Sequence, residues 1–199
     1  PRSTKRMGSV LRSKLVKVMI AINLLFVGSF SALEIGAVAA VGQAEAGFVI
    51  AMLSIGSVLG GLAFGHRARS PLALSKQLAV VLLGDLLIFF NATDPFWLGV
   101  CLFISGIGVA TAFATMASII GKAVPLDDST EVYGWIGSGQ SIGYGAGAAV
   151  VGIVVDKLTS TTSFGLASAL DLAALLVALS AVAITPSFLN SESTLLQKT

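Results

Sequence analysis

Three carboxylates interrupt otherwise apolar stretches of this sequence: Glu34, Asp85 and Asp171. An ionised side chain in such surroundings is unfavourable by about 2.5–3.5 kcal/mol on insertion scales, so each acid must be neutral, paired or open to water. A carboxyl bordering a cavity inside an apolar layer can take up and release protons. Glu34 is the best placed for this, because Asn23, Val27, Phe30 and Glu34 fall on one face of a helix of 3.6 residues per turn. A face that mixes polar and aromatic groups suits a substrate-lining wall. The competing explanation for Glu34, and the stronger one for the two aspartates, is a structural hydrogen bond to a neighbouring helix.

Two further faces carry polar groups at helical spacing. One is Tyr133, Gln140 and Tyr144; the other is Thr111, Thr115 and Ser118. Hydroxyls in apolar helices commonly bond their own backbone, so the threonine stripe reads first as structural. Gln140 is unfavourable against hydrocarbon, which favours a cavity beside the tyrosine–glutamine face. Gly139-Gln140-Ser141-Ile142-Gly143 has the form of a nucleophile elbow, but no strand precedes it and its only possible histidine, His66, falls in a basic loop. Asn91-Ala92-Thr93 is a glycosylation sequon, meaningful only in a secretory-pathway host. With one cysteine, Cys101, and one histidine there is no basis for an intrachain disulfide or a Cys/His metal site, and no cofactor is expected.

The elements that must position these groups follow from composition. Of 199 residues, 55% are hydrophobic and 11% charged, and the mean hydropathy is +0.94. A soluble domain carries about 25% charged residues. From Val18 to Val41 the only charge is Glu34, and from Trp97 to Ile120 there is none. About 20 helical residues cover the bilayer core, so the chain reads as an integral membrane protein, not a soluble enzyme, a nucleic-acid binder or a disordered tail. Six apolar segments are expected as helices: Val18–Val41, Gly47–Gly65, Leu74–Asn91, Trp97–Ile120, Val132–Val155 and Ser163–Thr185. Their short connections predict that successive helices are antiparallel neighbours in one domain, residues 18–185. Residues 1–17 are expected as a basic cytoplasmic linker and 186–199 as a cytoplasmic tail. Eleven of the twelve Lys and Arg residues then fall on one side and Lys157 alone on the other, which predicts cytoplasmic termini. The first apolar run is long for that of a cleaved signal peptide and is interrupted by Glu34. A start at Pro1 leads us to expect a fragment or processed product.

An internal repeat is also visible. A shift of 87 residues lays Gly47, Ser54, Ile55, Gly56, Gly60 and Gly65 on Gly134, Ser141, Ile142, Gly143, Gly147 and Gly152. A shift of 86 lays Asp85 on Asp171. Chance likeness between glycine-rich helices is the alternative. Taken together, the two shifts divide the chain into repeats at about 18–91 and 97–185, and three helices per repeat give the halves opposite orientation, as in alternating-access transporters. Gly56/Gly60, Gly61/Gly65 and Gly139/Gly143/Gly147 are expected to let helix backbones approach closely.

With these features the sequence resembles the C-terminal half of a major facilitator superfamily transporter, most like bacterial drug and sugar efflux permeases. The resemblance rests on Ala46-Gly47, on Gly56-Ser57-Val58-Leu59-Gly60-Gly61-Leu62-Ala63-Phe64-Gly65-His66-Arg67, on Thr130-Glu131-Val132-Tyr133-Gly134-Trp135, and on the glycine-rich helix ending at Asp156. Gly65-His66-Arg67-Ala68-Arg69 looks like a worn copy of the family's basic loop, lacking its aspartate and second glycine, with Arg67 and Arg69 left to clamp a helix end. The resemblance implies an all-α fold of six transmembrane helices, one half of a twelve-helix permease, with the first, second, fourth and fifth spans facing a cavity and the third and sixth facing lipid. It favours Glu34, Tyr133 and Gln140 for function and gives Asp85 and Asp171 packing roles. The expected activity is proton-coupled efflux of small organic molecules across the cytoplasmic membrane. Its expected partners are a small-molecule substrate, protons, the bilayer and an N-terminal six-helix half. Asn23, Phe30, Thr111, Thr115 and Tyr144 complete the expected cavity wall. The alternative is a stand-alone six-helix protein that homodimerises into a pore or serves as an assembly partner.

Overall fold

In a computed structural model, which describes residues 9–65, 71–157 and 159–184, every apolar segment is an α-helix. The helices are α1 (Lys14–Val41), α2 (Gln43–Phe64), α3 (Pro71–Leu87), α4 (Pro95–Ala123), α5 (Leu126–Lys157) and α6 (Ser160–Ile184). One 3-10 turn, Ser9–Arg12, leads into α1, and another, Ile88–Phe90, extends α3. α5 begins six residues earlier than apolarity alone predicts, and its first turn holds Asp127 and Asp128, where acids complement the positive end of the helix dipole. Five helices, α1, α2, α3 with its 3-10 extension, α4 and α6, are long and apolar enough to cross a membrane. α5, the longest at 32 residues and the least apolar, is not among those five.

The connections are fixed by local chemistry. Gly42 alone joins α1 to α2, at φ 84° and ψ 166°, a conformation open essentially only to glycine. Its N–H donates to Val38 O and its carbonyl accepts from Ala46 N, both at 3.0 Å, so one residue closes both helices. Between α3 and α4, Asp94 Oδ1 accepts the Trp97 N–H at 2.7 Å and Pro95 occupies the first turn. The indole N–H of Trp97 donates to Leu87 O at 2.9 Å, which ties the start of α4 to the end of α3.

Chain adjacency does not decide which helices pack. α2 lies along α4 and α5 along α1; α3 packs on α4, α6 on α1, and α3 meets α6. Successive α3 and α4 pack closely and α1/α2 and α5/α6 touch, as the short connections predict, whereas α2/α3 and α4/α5 make no comparable contact among the described residues, which corrects the expectation for those two pairs. Glycine faces choose the partners instead. A Cβ on Gly56 or Gly60 would run into the carbonyl of Phe103 or Ile107 on α4, and one on Gly143 or Gly147 into that of Leu24 or Gly28 on α1. Gly139 sits on Ile20 and Gly61 on the Ala110 methyl, whereas Gly65 borders open space and serves no close approach.

Two apolar cores result, stacked along the bundle. Phe26, Leu78, Met116, Ile120 and Val132 anchor one; Leu33, Ile88, Leu98, Leu102 and Phe164 anchor the other. The outward sides of α3 and α6 carry exposed leucines, Leu83 and Leu86 on one and Leu172 and Leu176 on the other.

Candidate functional site

The seam where α5 crosses α1 gathers polar groups that the sequence placed on two separate faces. Glycine makes this possible: because Gly143 and Gly147 bring the two backbones together, the side chains beside them meet. Asn23, 2% exposed, donates through Nδ2 to Met19 O at 2.9 Å and to Met116 Sδ at 3.2 Å. Its Oδ1 accepts from Gln140 Nε2 at 2.8 Å. All of Asn23's polar atoms are thereby engaged, as a buried amide requires, while the Gln140 amide oxygen takes no part in this chain of bonds.

A cavity of about 260 Å³ opens beside this amide pair, lined by Asn23, Phe113, Met116, Tyr133, Ile136 and Gln140 among others. The Tyr133 hydroxyl reaches Ala117 O at 3.5 Å, a weak contact on the far wall. Phe113 continues into an aromatic cluster with Phe26 and Phe30, with ring centroids 4.8 Å apart for Phe26–Phe30 and 5.3 Å for Phe26–Phe113. The site therefore offers amide and phenol groups for orientation and aromatic surface for contact, which suits a neutral or amphipathic organic group.

Glu34 lies on the same face of α1 but roughly 16 Å further along the axis at 1.5 Å per residue. There it accepts a hydrogen bond from the Tyr144 hydroxyl on α5, Oη to Oε2 2.6 Å. The pair is partly open to the outside: Glu34 is half-buried and Tyr144 is 44% exposed. Of the sequence-predicted wall, then, Asn23, Tyr133 and Gln140 converge on one cavity, Phe30 backs it, and Glu34 with Tyr144 forms a second polar point along the seam.

Thr111 and Thr115 do not line this cavity. Thr111 Oγ1 donates to Gly108 O at 2.9 Å and Thr115 Oγ1 to Thr111 O at 2.9 Å, the backbone bonding common to hydroxyls in apolar helices. Both face α3. In the orientation that satisfies its neighbours, the Gln77 amide donates to Thr111 O and Ala73 O, both at 3.2 Å. Thr111 lines a separate recess with Gln77 and Lys76. Arg67 and Arg69, most of the basic linker (residues 1–8) and the tail lie outside the described residues.

Sequence reasoning missed two features. Phe113, Met116 and Ile136 line the cavity without any pattern separating them from core residues. The pairing of Asp85 with Asp171, fully buried between α3 and α6, was signalled only by the shift of 86 that superposes them. No protein family, curated protein or solved structure matches the chain.

Proposed function

We propose that this chain is one six-helix half of a secondary active, proton-coupled efflux permease for small organic molecules, working by alternating access. The convergence of Asn23, Tyr133 and Gln140 on one cavity along the seam that also holds the Glu34–Tyr144 bond carries the reading. The cavity, about 260 Å³, is smaller than the roughly 300–1,000 Å³ of complete ligand sites, in keeping with one wall of a site closed by a second half. Interchangeable packing supports the two-repeat organisation. Gly56 and Gly60 meet Phe103 and Ile107 as Gly143 and Gly147 meet Leu24 and Gly28, with the same four-residue spacing on each side. Three helices per repeat make the halves inverted, the arrangement that rocking transporters use.

In this reading the protein sits in the cytoplasmic membrane with both termini inside. The proton enters at Glu34: protonation weakens its pull on Tyr144 and biases the equilibrium between inward- and outward-open states, which requires the proton to bind one state better than the other. The scarcity of Lys and Arg within the helices disfavours anionic substrates. The permease carrying Glu34→Gln, in inside-out vesicles with a panel of amphipathic fluorescent dyes, should lose dye movement driven by a pH gradient while retaining dye exchange without one. Unchanged gradient-driven transport would remove Glu34 from coupling. Sequencing the reading frame upstream of the Pro1 codon tests the architecture: six further apolar spans of about 20 residues each are expected. A start codon at that point would favour homodimerisation, for which the exposed Val58 and Leu62 on α2 offer an apolar face.

A further inference from the structure

Between the two apolar cores lies a polar layer drawn from four helices. Asp85 on α3 falls between core residues Val81 and Ile88, Asp171 on α6 between Ala167 and Ala174, Ser29 on α1 between Phe26 and Ala32, and Ser105 on α4 between Leu102 and Val109. All four side chains are 0% exposed. The two carboxyls are neighbours where α3 packs on α6, and Ser105 lies beside Asp85. The close approach that permits this is Gly84 of α3 against the Ser105 N–H and Cys101 carbonyl of α4.

The layer has more acceptors than donors. Neither Asp85 oxygen, nor Asp171 Oδ2, has a donor within hydrogen-bond distance, and Ser105 Oγ is aimed into the cluster without a partner. Ser29 Oγ stands 2.7 Å from Phe26 O and 2.8 Å from Asp171 Oδ1, yet a hydroxyl has a single proton to give. The groups facing the pair from the packed helices are the Ser29 hydroxyl of α1, and the Ser105 hydroxyl and Cys101 thiol of α4. The described basic residues all lie toward helix ends; Lys76, on the same helix as Asp85, is roughly 13 Å away along the axis.

We propose that Asp85 and Asp171 hold one proton between them and form a proton-binding site at the seam of α3 and α6, distinct from Glu34. The proton turns an acceptor–acceptor contact into an O–H···O bond, which is stronger than a neutral one because its acceptor is ionised. On release the proton passes to water, two like charges face each other with only the Ser29 hydroxyl to share, and the α3–α6 packing is weakened. The nearest recess on the same seam, about 510 Å³, is lined by Phe89, Thr159, Thr161, Thr162, Gly165 and Leu166, and proton release requires water to pass from it to the pair. Phe89 is one turn from Asp85, roughly 6 Å along the helix.

Infrared spectroscopy of the full chain in lipid nanodiscs at neutral pH tests this, in a Glu34→Gln background so that Glu34 contributes no signal. One protonated-carboxyl carbonyl band, shifted by deuterium exchange, is expected, and it should vanish in both Asp85→Asn and Asp171→Asn. Absence of the band from the parent, or its persistence in both asparagine variants, would overturn the proposal. If neither variant folds, the parent decides alone through its stability. A native state holding one more proton than the unfolded chain loses a factor of about ten in its folding constant per pH unit. That loss should run from about pH 4, where an unfolded aspartate gives up its proton, to the pH at which the pair releases its own. A parent whose stability does not fall with pH in that range would equally overturn it.

Discussion

Asn23 and Gln140 illustrate how a polar side chain is tolerated deep in an apolar bundle: each amide supplies what the other lacks. Gln140→Leu deprives Asn23 Oδ1 of its donor, and interhelical hydrogen bonds in membrane proteins are worth about 0.6 kcal/mol on average and about 1.7 at most. A destabilisation in that range is expected in denaturant titrations of the detergent-solubilised chain. The double variant Asn23→Leu/Gln140→Leu should cost less than the sum of the singles, because the orphaned acceptor is removed as well. Strict additivity would mean that the two amides do not depend on each other. Both residues were legible in the sequence as polar interruptions at helical spacing, as was the doubt over the threonines. Their meeting was not legible, because it depends on how far α1 and α5 slide along each other. The Asp85–Asp171 contact was hidden for the same reason: each acid looked isolated until α3 was laid against α6.

At the scale of elements, the positions of the helices could be read from apolar runs, with ends displaced by up to six residues where polar or capping residues continued the helix. Connectivity gave α3 beside α4 but not the α2–α4, α1–α5 and α1–α6 contacts. The relevant information was in the glycines, yet a glycine that meets a backbone looks the same in sequence as one that faces open space. Gly143 and Gly145 are two residues apart on α5 and differ entirely: a Cβ on the first would strike the Leu24 carbonyl, and one on the second meets nothing. Gly143→Ala should therefore force α1 and α5 apart, at the roughly 1–3 kcal/mol typical of overpacking. Gly145→Ala should be neutral or stabilising by up to about 1 kcal/mol, since alanine favours helix. Thermal unfolding of the two variants side by side measures the difference. Equal effects would show that the α1–α5 contact tolerates separation, and the glycine faces would then not be what selects helix partners.

At the scale of the molecule, the bundle presents two kinds of surface. α3 and α6 turn leucines outward, Leu83 and Leu176 among the most exposed, while their inner sides close over the buried carboxyl pair. The α5 side mixes exposed Tyr133 and Tyr144 with glycine and serine, and with exposed Ile142, Val150 and Ile153. Lipid tails are indifferent to leucine but leave hydroxyl and amide groups without partners, so the two sides should meet different surroundings. Spin labels at Leu83, Leu176 and Ser141, introduced as cysteines in a Cys101→Ala background, separate these environments. In nanodiscs, the labels at Leu83 and Leu176 should relax with oxygen, which concentrates in the hydrocarbon, and the label at exposed Ser141 with a water-soluble nickel chelate. A Ser141 label as oxygen-accessible as that at Leu176 would place the α5 side against lipid. The cavity between Asn23, Tyr133 and Gln140 would then open to the bilayer instead of an aqueous path, and a substrate would have to enter from the membrane.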